Sequence, residues 1–107
     1  MNYEDKRAAV LTEMASITSM EKGRLTAEYR EVERDGKTVR LGPYHKHQRW
    51  EDGRNVSTRI PAKDAEVLKE AVEGYHRFQS LADAFIDVTI AMTRAQHMQE
   101  SKKKKRN

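Results

Sequence analysis

The sequence contains no cysteine. That excludes a disulfide framework, a thiol nucleophile and a cysteine-based zinc site, and it agrees with a reducing compartment. There are only two prolines and five glycines, so each one acts as punctuation in the chain. No apolar run approaches the roughly 18 residues that a membrane span needs, and the first residues lack the apolar core of a signal peptide. The expected location is therefore cytoplasmic. No Walker, Rossmann, Ser-His-Asp or Cys-His pattern is present. Glu66, Glu70 and Glu73 line one surface of an expected helix and do not converge as an acid–base pair would. The expectation is a non-enzymatic protein that uses no cofactor.

What is abundant is charge. At 107 residues there is room for one domain, and a hydrophobic fraction of 36% set against a charged fraction of 36% implies a thin core and long solvated faces. The net charge of +4 is unevenly spread. Lys and Arg against Asp and Glu number 2 against 4 in residues 1–21, 10 against 6 in 22–60, 4 against 7 in 61–100 and 5 against none in 101–107. A basic centre and a basic end, separated by acidic flanks, form a patterned surface.

Three segments follow. Residues 1–21 predict a short amphipathic helix over about Tyr3 to Ser19, with Val10, Leu11, Met14 and Ile17 at three- and four-residue steps. Glu4 and Asp5 suit its positive end, and Lys22-Gly23 ends it. Residues 22–60 predict a small antiparallel sheet of two hairpins, signalled by Asp35-Gly36 and Asp52-Gly53, with Gly42-Pro43 as a bend between them. The expected strands are four, over about 25–33, 37–41, 44–50 and 54–60. Residues 61–100 predict a long helix that opens at Pro61. Leu68, Ala71, Tyr75, Phe78, Ala82, Phe85, Thr89 and Met92 form a heptad seam, widened by Leu81, Val88 and Ala95. Such a helix reaches about 60 Å, far beyond a seven-residue strand of about 23 Å. The seam past Phe78 therefore needs the N-terminal helix or a second chain as cover. Phe78, Leu81, Phe85, Val88 and Met92 are the candidate oligomer or partner interface, as a coiled coil in a dimer. The last residues, 101–107, predict a disordered basic tail. Overall the fold class is α+β.

The second hairpin has two possible registers. A two-residue Asp52-Gly53 loop would put Arg49 on a face with Val56, and His45 with Ile60. A three-residue Glu51-Asp52-Gly53 loop gathers Tyr44, Trp50, Val56 and Ile60 on one face and His45, His47, Arg49, Ser57 and Arg59 on the other. Slipping by one residue flips every side chain, so segregation of apolar from basic side chains favours the three-residue loop. In that register Trp50 and Tyr44 pack toward the helix instead of stacking on bases.

The basic face, His45, His47, Arg49 and Arg59 extended by Arg40, is the candidate nucleic-acid site. Its plain alternative is an ordinary solvated sheet face. His45 and His47 lack a third ligand, which argues for a surface pair and not a metal site. Lys102, Lys103, Lys104, Lys105 and Arg106 would clamp phosphates or merely solubilise the chain.

Gly42-Pro43-Tyr44, the Glu51-Asp52-Gly53 turn, Ile60-Pro61 and the helix after it resemble a family of short bacterial and archaeal proteins of unknown function. Its members often accompany mobile-element or transposase-type genes, and the likeness covers roughly residues 20–90. Many members carry a cysteine cluster before the bend, which implies a metal role for them. Here that stretch reads Glu33-Arg34-Asp35-Gly36-Lys37, so no metal role carries over. A looser similarity, of fold alone, is to the arm-type DNA-binding domain of tyrosine integrases. The expected function is a small accessory DNA-binding protein. The alternative is an adaptor that joins a partner protein through its long helix.

Overall fold

The computed structural model describes residues 2–105, with side chains through Lys102. In chain order it contains helix α1 (Tyr3–Ala15), strands β1 (Arg24–Arg34), β2 (Lys37–Glu51) and β3 (Arg54–Ile60), and helix α2 (Ala62–Lys105). The class is α+β. The sheet has three antiparallel strands in the order β1-β2-β3, in place of the four expected.

The expected break at Gly42-Pro43 is absorbed within β2. Glu28 stands opposite Tyr44 and Arg30 opposite Leu41, so the register shifts where Tyr29 meets Gly42 and Pro43. Pro43, which has no N–H to give, falls inside that irregularity and outside the regular ladder. Gly42 has φ 124°, and a Cβ there would lie 2.8 Å from the Glu28 carbonyl oxygen. Only glycine fits so close an approach.

The second hairpin adopts the two-residue register, a correction to the expected three-residue loop. Glu51 pairs with Arg54, Arg49 with Val56, Gln48 with Ser57 and His45 with Ile60. Turn geometry decides the matter. Asp52 and Gly53 have φ 50° and 78°, and Asp35 and Gly36 have 53° and 74°. Two successive positive φ values are the signature of the tight hairpin turn that matches strand twist, and aspartate tolerates the left-handed conformation.

The chain divides into two compact units, with α2 contributing to both. The sheet unit is Ser19–Tyr75. One face of its sheet carries Leu25, His47, Val56 and Ile60, of which His47 is buried and the others half-buried. Ala65 and Val72 on the first turns of α2 are the buried apolar side chains. A short strap, residues 19–23, is stitched down at Glu21 and Lys22. The Glu21 N–H donates to the Ala71 carbonyl at 2.9 Å, and the Lys22 carbonyl oxygen lies 2.7 Å from His47 Nε2. A carbonyl can only accept, so Nε2 donates. Gly23 (φ 100°) completes the strap, since a Cβ there would fall 2.2 Å from the Gln48 carbonyl oxygen.

The helical unit joins residues 1–18 to 76–107, of which the structure describes 2–18 and 76–105. Asn2 caps α1, its Oδ1 accepting the Asp5 N–H at 2.8 Å. The helix stops at Ala15, earlier than the Ser19 expected. Ser16 turns its hydroxyl back onto the Glu13 carbonyl at 2.6 Å, as serine does where a helix gives way. The Arg7 guanidinium sits 4.6 Å from the Phe85 ring centre, and Arg77 bonds Glu13 at 3.5 Å. These two contacts run α1 antiparallel to α2 within the unit. At the other end α2 continues past Glu100 to Lys105, so the expected tail overlaps the helix. The side chains of Lys103, Lys104 and Lys105, and all of Arg106 and Asn107, lie outside the described residues. Among the described residues no helix is long and apolar enough to cross a membrane.

Candidate nucleic-acid interface

Alternation along a strand and pairing across it fix which side chains share a face. In the observed register β3 is flipped relative to the expectation. Arg59 and Ser57 leave the histidine face and join Tyr44, Lys46, Gln48 and Trp50, opposite Lys46 and Gln48 respectively. Val56 and Ile60 move the other way. On the first strand Arg24, Thr26 and Glu28 face Gln48, Lys46 and Tyr44, completing one surface across all three strands. The expected cluster of His45, His47, Arg49 and Arg59 is therefore split between the two faces.

The split changes what each residue can do. His47 is only 4% exposed and holds the strap. His45 is half-buried between Ala27 and Ile60. Arg49 is committed within the fold: its Nε bonds Glu51 at 2.9 Å, and its Nη1 reaches His47 Nδ1 and Thr58 Oγ1, each at 3.3 Å. Arg40 lies over the Tyr29 ring at 3.8 Å. Among the described residues no three His, Asp or Glu side chains gather as a metal site.

The Tyr44 face has the more open chemistry. The guanidiniums of Arg30 and Arg59 stand 5.6 and 4.6 Å from the Tyr44 ring centre. Each such contact contributes about 0.5–1 kcal/mol at an exposed site, enough to orient a cation without consuming its hydrogen-bond donors. Between these groups opens a cavity of about 340 Å³, lined by Glu28, Tyr29, Arg30, Tyr44, His45, Lys46, Ser57 and Arg59. Further along the face Arg24 Nη2 donates to Gln48 Oε1 at 3.0 Å. Trp50 stands beside them, 65% exposed, contrary to the expectation that it packs against the helix. Among the described strand residues Arg24, Arg30, Lys46 and Arg59 thus share this surface with a single acid, Glu28.

Sequence reasoning missed Arg24, Arg30 and Lys46. For Arg24 and Arg30 the signal lies in β1, which alternates Arg24, Thr26, Glu28, Arg30, and for Lys46 in its place two residues from Tyr44 on β2; only the pairing of β1 with β2 brings the three together.

In the helical unit Phe78, Leu81, Phe85, Val88 and Met92 are all half-buried. The neighbouring stripe is more open: Ile86 and Ile90 are exposed, and with Phe85, Thr89, Thr93 and Arg94 they line a groove of about 330 Å³. Lys102 is exposed near the end of α2.

No protein-family model, no curated protein and no solved structure matches the chain.

Proposed function

We propose that this is a nucleic-acid-binding protein that uses the Tyr44 face of its sheet. The observation that carries the reading is the pair of guanidiniums, Arg30 and Arg59, held over one tyrosine ring beside Lys46. Positioned cations that keep their donors open are suited to phosphate oxygens, which supply much of the affinity in such complexes. The basic residues from Lys102 onward add a sequence-independent contribution. An accessory role beside a mobile element rests on the resemblance of the Gly42-Pro43-Tyr44 bend and its flanking elements. The test is binding of labelled duplex and single-stranded oligonucleotides at several salt concentrations. The double variant Arg30→Ala/Arg59→Ala is expected to bind at least tenfold more weakly with a shallower salt slope, and a chain ending at Glu100 to retain salt-dependent binding. Parent-like affinity in the double variant would remove the sheet face from the reading.

A second reading, association through α2, has its own support in the exposed Ile86 and Ile90. It places a second chain or a partner helix on the groove beside Phe85. Ile86→Lys/Ile90→Lys is then expected to weaken association by about 2 kcal/mol, roughly thirtyfold, in sedimentation across a concentration series.

A further inference from the structure

Trp50 is the most exposed aromatic side chain of the sheet, at 65%, and lies on the same face as the Tyr44 cluster. The two lie six positions apart along β2, which is about 20 Å of strand. Between and beside them stand side chains that can hydrogen-bond base edges or phosphates: Gln48, fixed by Arg24, with Ser57 and Asn55 across the ladder. The two aromatic rings are not equivalent. Two guanidiniums already stand over Tyr44, whereas Trp50 opens onto a shallow cavity of about 430 Å³ that Arg24, Gln48 and Asn55 also line.

We infer that the ligand is a single strand of nucleic acid, with one unpaired base stacked on the Trp50 indole and the backbone crossing to the Arg30–Tyr44–Arg59 cluster. This rests on the nucleic-acid reading proposed above and specifies its ligand. The physical reason is the availability of base faces. In a duplex every base presents its flat side to its neighbours in the stack, so an open indole meets only edges and backbone. A single strand can splay a base out and lay it on an aromatic ring, without regard to sequence. Charge complementarity supports the same occupant, since four cations against Glu28 alone suit a phosphate track. An acidic protein surface would meet the same cations through its carboxylates but offers the Trp50 indole no base to stack on, and is an outcome of the test.

The chain has one tryptophan, so its fluorescence reports this position alone. The full chain is titrated with thymidine and uridine oligonucleotides of about twelve nucleotides, which fall within the site sizes usual for such surfaces, and with a duplex of equal length. The expected result is tighter binding of a single strand than of duplex, with the indole emission quenched on saturation. Trp50→Ala is expected to lose about tenfold or more in single-strand affinity and Trp50→Phe to keep most of it. Both variants should unfold at the parent's temperature by circular dichroism, because the side chain is exposed. Duplex bound more tightly, with emission unchanged, would overturn the inference and leave the nucleic-acid reading standing. No binding of any oligonucleotide would overturn both. The thymidine and uridine arms separate DNA from RNA, and tighter binding of either one than of the duplex supports the single-strand assignment.

Discussion

Among the described residues the buried ones, His47, Ala65 and Val72, all belong to Ser19–Tyr75, whereas the helical unit has none. The sheet unit is held by geometry as much as by apolar area. Two tight turns set its register, an irregularity accommodates Pro43, and a strap is bonded on one side to Ala71 and on the other to His47. The helical unit is held by half-buried contacts along two antiparallel helices and by surface charge. A charged, apolar-poor chain can thus specify a sheet through turn chemistry and a few obligatory glycines. A helix pair of the same composition has only its seam, and half-covered seams invite association.

Substitutions in the sheet unit should therefore cost far more than those between the helices. Gly23→Ala carries the largest expected effect, at least about 3 kcal/mol. The new methyl would meet the Gln48 carbonyl at 2.2 Å in a left-handed conformation that alanine resists. Urea unfolding followed by circular dichroism measures it, and a loss below about 1 kcal/mol would show that the strap is not constraining. His47→Ala comes next, at about 2–3 kcal/mol, because it leaves the Lys22 carbonyl unpaired and a hole where a 4%-exposed ring had been. Amide exchange should show faster opening at Glu21 in that variant. The smallest effect belongs to the helical unit. Arg77→Ala removes a 3.5 Å ion pair between side chains that are more than half exposed, and should cost under about 0.5 kcal/mol in thermal melts. A larger loss there would contradict the contrast between the units.

Parts of this fold are legible in the sequence because they rest on local chemistry. Asp35-Gly36 and Asp52-Gly53 announce hairpins, and the heptad seam announces α2. The register differs from the expected one because segregation of apolar from basic side chains is a rule for sheets with a well-filled core. Here the core is too small to enforce it, so Trp50 stays in solvent and turn conformation prevails. Pro43 read as a break because a proline on a strand normally ends pairing, and the irregularity opposite Tyr29 that tolerates it depends on the partner strand. The candidate site suffered from the same cause. Arg59 belongs to the expected basic site, but its contact with Tyr44 requires the flipped β3, and Arg30 reaches the same ring only through the pairing of β1 with β2.

The strap also has a consequence in time. Its bonds from Lys22 to His47 and from Glu21 to Ala71 join residues far apart in sequence, whereas each hairpin closes over two residues. Hairpins form in about 1–10 μs, while distant partners must first meet the entropy of closing a long loop. The strap is then the last part to lock and the first to release. Substitutions at Gly23 and His47 should chiefly speed unfolding and leave the folding rate nearly unchanged, the kinetic mark of contacts absent from the transition state.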